Sequence, residues 1–328
     1  MDLVAGFVHT QVLLALVELN ILERIRGKAM TAEALTEGTD IAPQRMAALL
    51  QAGASLGLLR RSRRGKFVAS RRGAALLGVP GLIPMIRHNR LLYRDLEDPV
   101  ALMKGTVQSE LAAFWPYVHG AGAATDGEAA ANYSDLMAQS QALVAQETLR
   151  AVNLKTAEHI LDVGGGTGSF LIAAAAAAPK ARLTLFDLPS VLEGAHQRLV
   201  DAGLTDRVRA VSGSFRDDPL PTGADRISLI RVLYDHMDDT VERLLAAVFE
   251  ALQPGGLLIV SEPMSGGRRP ERSGDAYFAF YTMAMGTGRT RSAEEIGAMM
   301  TKAGFAAIQT PTVRRPYVTS VVIGKKPV

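Results

Sequence analysis

The stretch Ile160-Leu161-Asp162-Val163-Gly164-Gly165-Gly166-Thr167-Gly168-Ser169-Phe170 decides the fold. A short β-prone run carries an acidic residue near its end, breaks into glycines and opens an alanine-rich helix. Glycine at 164, 166 and 168 lets the backbone turn sharply and approach a ligand where a Cβ would obstruct. A nucleotide-sized ligand is implied. The dinucleotide fingerprint fails at its last element, because its sixth position is Ser169. The phosphate-cradling loop fails as well, since no Gly-Lys-Ser/Thr follows. The next β-prone run, Leu183-Thr184-Leu185-Phe186-Asp187, ends in a carboxylate placed to accept ribose hydroxyls, about 20 residues beyond the glycines.

Downstream, strand and helix alternate. The pattern predicts a helix from Ser169 to Ala178 stopped by Pro179 and another from Ser190 to Ala202. Further strands are predicted near Val208–Ser212, Ile227–Leu233, Leu257–Ser261, Ala306–Thr310 and Ser320–Ile323. This alternation specifies an α/β fold with a doubly wound, mostly parallel, Rossmann-like sheet. Asp239 and Glu242 read as N-cap and N3 of a helix whose apolar face is Leu244, Leu245, Val248 and Leu252. Ser292-Ala293-Glu294-Glu295 reads as a capping box for the last helix, which ends at Gly304.

Upstream, residues 3–25 carry a helical apolar period with additional apolar residues on other faces. That pattern calls for a partner helix, expected from a second subunit. The period begins by Leu3 without a cap, as in an N-terminally shortened chain. Thr31 starts a short helix, Ala42 to Leu56 forms a second with Pro43 in its first turn, and Leu58–Arg61 and Lys66–Ser70 form a hairpin. Helix, helix and hairpin make an α-helical winged-helix domain. Its wing carries Arg60, Arg61, Arg63, Arg64, Lys66, Arg71 and Arg72, open to three readings: a solvated structural wing, a DNA contact, or a contact with anionic lipid. The structural reading is favoured, because the groove-entering helix offers only Gln44, Arg45 and Gln51 as polar readers. Residues 80–118 look like helices packing over something apolar, Gly120–Ala131 is a linker, and residues 132–152 read as a connecting helix. The expected domains are therefore 1–90 (winged helix), 91–152 (connecting helices that contribute to a substrate pocket) and 153–328 (catalytic).

The chain has 328 residues, enough for two domains and a large core. With no cysteine, disulfides, thiolate metal sites and a cysteine nucleophile are excluded. A net charge of +3 does not by itself require a polyanionic partner. No apolar run approaches the length of a membrane span, and no signal peptide is visible. The expected location is cytoplasmic, with peripheral membrane contact as the alternative for the wing.

Asp162 before Gly-x-Gly-x-Gly, with Asp187 in register, resembles motif I of the class I S-adenosylmethionine-dependent methyltransferases. Phe186-Asp187-Leu188-Pro189, Val211-Ser212-Gly213-Ser214-Phe215, Arg231-Val232-Leu233-Tyr234-Asp235-His236 and Gln253-Pro254-Gly255-Gly256 are similar to the small-molecule O-methyltransferases that carry an N-terminal winged-helix dimerisation domain. The resemblance covers nearly the whole chain. It implies S-adenosylmethionine (leaving as S-adenosylhomocysteine), no metal, a homodimer and no nucleic-acid partner. Asp2–Val8 and Met285–Thr290 look like the carotenoid hydroxyl O-methyltransferases of purple phototrophic bacteria, which implies the tertiary hydroxyl of a linear carotenoid as acceptor. Bacteriochlorophyll-ring and phenolic or polyketide methyltransferases are the alternatives within the family. A nicotinamide oxidoreductase and a winged-helix DNA-binding regulator on a retired methyltransferase fold are the alternatives outside it.

By that resemblance, Asp162, Gly164, Gly165, Gly166 and Gly168 contact the methionyl part of the cofactor, Asp187 the ribose, and Ser214 and Phe215 the adenine. Leu188, Gly213 and Arg231 complete the cofactor-binding set. An alcohol must also lose its proton. The plant members place histidine directly before Asp in the loop after the fourth strand, where this chain has Tyr234, followed by Asp235 and His236. Tyrosine, with a reference pKa near 10, is a poor acceptor at neutral pH. Tyr234 is therefore expected to orient the acceptor, while His236 or a water takes the proton and Glu262 orients a polar partner. Trp115, Met137, Phe278, Tyr281 and Met285 are expected to line the acceptor pocket.

Overall fold

The computed structural model describes residues 2–114 and 140–328. Trp115, Met137 and the expected linker lie outside the described residues. The chain divides into two compact units, Met1–Arg90 and Leu91–Val328.

In the first unit the opening apolar period forms Gly6–Glu18 and Ile21–Arg24, separated at Asn20, which takes the left-handed conformation (φ 50°). Asparagine is one of the few residues that adopts it readily, so the expected single helix becomes two. Thr31 caps Ala32–Thr36, and Pro43 opens Pro43–Ser55 at a position where its missing N–H costs nothing. Strands β1 (Leu59–Arg61) and β2 (Phe67–Ala69) pair antiparallel as the wing. Ser70 caps the following helix, Arg71–Gly78. Leu16, Ile21, Leu22, Leu35, Met46, Leu50, Leu59 and Phe67 form the core, whereas Leu3, Val4, Phe7 and Val8 stay exposed.

In the second unit β3 (His159–Val163), β4 (Arg182–Asp187), β5 (Val208–Ser212), β6 (Ala224–Ile230), β7 (Leu252–Glu262), β8 (Ala306–Gln309) and β9 (Ser320–Lys325) form one sheet. Its order is β5-β4-β3-β6-β7-β9-β8. Strands β3 to β7 run parallel, and β9 lies antiparallel to both β7 and β8. The chain winds outward from β3 through β4 to β5, then crosses back to β6. The order therefore reverses between β3 and β6, and in such sheets ligands bind at the strand ends beside the reversal. Apolar clusters line both faces of the sheet, as expected for parallel strands covered by helices on each side. A smaller cluster joins Leu92, Leu102 and Leu111 to Tyr281, Ala284 and Met285.

Two expectations change. β6 stops at Ile230, and Leu233–Asp235 forms a 3₁₀ turn. The helix expected to be capped by Asp239 begins at Asp238 and has no side-chain cap. The Asp238 carboxylate is taken by Arg289 and Arg291, and Asp239 lies in the first turn facing Arg243. The Ser292–Glu295 capping box forms as expected.

Candidate active site

The loop after β3 and the end of β4 meet beside the sheet reversal. Asp162 is fully buried, and its Oδ1 accepts a 2.5 Å hydrogen bond from Ser228 Oγ on β6. Its Oδ2 has no hydrogen-bond partner among the described residues. Burial pushes this carboxyl up to about 7, with Asp187 repelling in the same direction and the Ser228 bond opposing. An unmatched buried carboxylate oxygen is costly unless a cation or donor meets it. Gly164, Gly166 and Gly168 have φ of 65°, 59° and 75°, and a Cβ on Gly165 would fall within 2.5 Å of Asp162 Oδ2. A side chain here would obstruct the very oxygen that lacks a partner.

Asp187 accepts from Gly166 N and from Leu188 N, each at 2.7 Å, so its carboxylate is fixed against the glycine loop with lone pairs to spare. Burial raises its pKa against the pull of those two donors. Gly213 N donates to Asp187 O, and Ser214 is tied to Asp217 and Asp218. The half-buried Phe215 faces the Gly164 backbone. A cationic amino-acid end near Asp162 and a ribose near Asp187 fit these groups.

The second cluster follows β6. Arg231 has φ 59°, unusual for a side chain of its size. Its N–H continues the β6–β7 ladder to Ser261 O at 2.8 Å, which holds the kink in place. Its guanidinium donates to Tyr234 Oη at 3.0 Å and approaches Ser140 Oγ. Tyr234 is buried, and burial followed by the nearby carboxylates holds its pKa above the ordinary phenol value against the attraction of Arg231. Tyr234 is therefore a neutral hydroxyl at physiological pH. Asp235 receives a hydrogen bond from that hydroxyl, while its Oδ1 is buried with no partner among the described residues. Burial lifts Asp235 to about 7, opposed by Arg231 and by the tyrosine bond.

Glu262, at the end of β7, is completely buried. Its Oε2 accepts from the backbone N–H groups of Leu233 and Tyr234 at 3.0 and 3.3 Å. It thereby holds the 3₁₀ turn through main-chain groups. Burial and the neighbouring Asp235 push it to about 8, opposed by Arg291 and the two N–H donors.

His236 does not fit the proton-accepting role. Its Nδ1 lies 3.0 Å from Arg216 Nη2, and arginine can only donate, so the neutral ring carries its proton on Nε2. The ring packs edge-on against Phe215 at 5.2 Å between centroids. Burial, then Arg216 and Arg291, lower its pKa to about 4, so the ring has little affinity for a second proton.

Phe278 and Tyr281 gather near Tyr234. Phe278 meets the Tyr234 ring edge-on at 6.3 Å and lies 6.4 Å from Tyr281. Met285 is buried at the end of the same helix, Ala279–Met285. Three contributors were missed by sequence reasoning. Ser228 gives no signal beyond being a polar residue in an otherwise apolar strand. Arg291, fully buried, clamps the turn by donating to Leu233 O and His236 O while pairing with Asp238. Gly288 lets a loop lie directly on the Tyr234 carbonyl. Among the described residues no group of acidic and histidine side chains is arranged to hold a metal ion.

An O-methyltransferase domain family matches residues 93–306, and an O-methyltransferase dimerisation domain matches residues 1–78. Demethylspheroidene O-methyltransferase of Cereibacter sphaeroides is 56% identical over 99% of this chain and 86% of its own length. The enzyme of the same name from Rhodobacter capsulatus is 52% identical over 98% of this chain and 80% of its own. Among solved structures, mitomycin 7-O-methyltransferase MmcR superposes with a TM-score of 0.81 at 26% identity, covering 99% of this chain and 96% of its own.

Proposed function

The chain belongs to the O-methyltransferase family and works with S-adenosylmethionine, and from that premise we propose that its acceptor is the tertiary hydroxyl of a linear carotenoid, as in spheroidene-type biosynthesis. The observation that carries this reading is the near-full-length similarity to two enzymes named for demethylspheroidene. Phe278 beside Tyr234, with Tyr281 against Phe278, agrees with an apolar acceptor.

In this reading the unpartnered Asp162 Oδ2 and the glycine loop from Gly164 to Gly168 hold the charged amino-acid end of the cofactor. Asp187 and Leu188 hold the ribose, and Gly213, Ser214 and Phe215 frame the adenine. S-adenosylmethionine supplies a methyl group on a positively charged sulfur, released by in-line displacement. Tyr234, kept neutral and fixed by Arg231, orients the acceptor hydroxyl. The hydroxyl proton passes to Asp235, whose buried Oδ1 has no partner among the described residues and whose pKa near 7 suits a base at neutral pH. Glu262 and Arg291 hold the turn that presents both groups. Phe278, Tyr281 and Met285 exclude water around the acceptor.

The N-terminal unit is proposed to build a homodimer. Its dimerisation-domain match and the exposed Leu3, Val4, Phe7 and Val8 support that assembly, and a monomer mass by light scattering would refute it. The acceptor is tested by transfer of labelled methyl to a hydroxylated linear carotenoid in detergent, beside a phenol and a bacteriochlorophyllide. Label in the carotenoid alone is expected. Label only in another acceptor overturns the carotenoid reading, and none in any overturns the catalytic one.

A further inference from the structure

The net charge of +3 hides a segregation. Between Asp40 and Asp95 the chain has eleven lysines and arginines and no acidic residue, so the remainder is net acidic. Three of the eleven, Arg87, Arg90 and Arg94, lie on the helix Leu82–Asp95 and pair with Glu18 or Glu110. The seven on the wing and its exit do not. Arg60, Arg61, Arg63, Arg64, Lys66, Arg71 and Arg72 are all exposed, and among the described residues none is in an ion pair.

Fold stability does not account for this arrangement. Seven like charges on a hairpin and the first turn of a helix repel one another, and Arg71 and Arg72 oppose the dipole of Arg71–Gly78 at its positive end. A two-fold contact between copies of the chain through this face would set arginine against arginine, so in a homodimer the face points outward. Gly57, Arg60, Ser70, Arg71 and Arg72 line an open concavity of about 510 Å³.

We propose that this basic wing docks the enzyme on an anionic lipid surface. The choice of lipid over nucleic acid rests on the carotenoid reading, because a long apolar acceptor partitions into a bilayer. It rests also on the helix Pro43–Ser55, whose exposed positions include Pro43, Ala48 and Ser55 and whose polar base readers are only Gln44, Arg45 and Gln51. Each basic side chain near an anionic surface strengthens adsorption about fivefold, and the effect fades beyond a Debye length. Seven gathered on the hairpin and the turn after it therefore adsorb strongly at low salt and weakly at high salt.

The test is co-sedimentation of the full-length protein with phosphatidylcholine vesicles, with and without phosphatidylglycerol. Binding is expected only with phosphatidylglycerol, and it should fall steeply as salt rises. Combining Arg60→Gln, Arg63→Gln, Arg64→Gln and Lys66→Gln should weaken it by about a hundredfold or more. The charge-keeping set Arg60→Lys, Arg63→Lys and Arg64→Lys should bind like the parent, since adsorption reads charge and not guanidinium geometry. Methyl transfer to detergent-dispersed acceptor should be equal in all three proteins, which separates failure of docking from failure of the catalytic reading. Equal binding to neutral vesicles, full binding by the glutamine set, loss by the lysine set, or displacement from the vesicles by duplex DNA at matched ionic strength would overturn the proposal.

Discussion

Replacing Asp235 with asparagine removes a carboxylate of the reacting loop whose buried Oδ1 has no partner among the described residues, while keeping an acceptor for the Tyr234 hydroxyl. The parent carboxyl titrates near 7. Only its ionised form takes a proton, so about one molecule in ten is competent a unit below that value and about nine in ten a unit above. Rate should therefore climb roughly tenfold from about pH 6 to about pH 8, with unit slope on the acid side. The amide of the Asp235→Asn variant cannot accept the proton. Turnover should drop on the order of 10²–10⁴-fold, and the acid limb should vanish because the titrating group is gone. The assay is single-turnover methyl transfer across that pH range at saturating cofactor, which keeps product release out of the profile. If the variant keeps the limb, or loses less than about fivefold, Asp235 is not the proton acceptor and water is the remaining candidate.

Three further outcomes follow from the same geometry. Asp162→Asn should weaken S-adenosylhomocysteine binding by about ten- to a hundredfold in calorimetry, the cost of replacing a charged acceptor by a neutral one, and unchanged affinity would remove Asp162 from the cofactor site. Glu262 has a folded pKa above its unfolded one, so its contribution to stability is complete below the unfolded value and is lost as pH rises through about 8. Glu262→Gln does not titrate and keeps an oxygen for Leu233 and Tyr234. Its melting temperature should therefore gain on the parent between about pH 5 and about pH 8, and a constant difference would contradict the assignment. Gly288→Ala would set a Cβ on the Tyr234 carbonyl and 2.8 Å from Asp235 Cα, so it should cost roughly 1–3 kcal/mol in denaturant unfolding and lower turnover more than cofactor affinity.

The geometry of the glycine loop was legible because it is local. A strand ending, three left-handed glycines and a carboxylate on the neighbouring strand are consequences of backbone geometry that sequence spacing records. The capping box and the wing hairpin were legible for the same reason, since each is a contact among residues a few positions apart. The Asp239 cap failed because a competing contact reached in from more than fifty residues away, where Arg289 and Arg291 take Asp238 and fix where the helix starts.

The roles within Arg231–His236 were hidden for that reason too, and they show what a motif leaves undetermined. Tyrosine, aspartate and histidine stand side by side in the sequence, and intrinsic pKa values favour the histidine as base. The fold inverts that order by deciding who claims each lone pair. Arg216 takes His236 Nδ1, Arg231 takes the Tyr234 oxygen, and Glu262 takes the turn's N–H groups through one oxygen, and within the loop itself Asp235 Oδ1 has no partner among the described residues. Two of those claimants are arginines at positions the motif does not mark as proton-transfer residues, and one of them, Arg231, is held at a strained backbone angle. A base in such a loop is identified less by its residue type than by being the group its neighbours leave open.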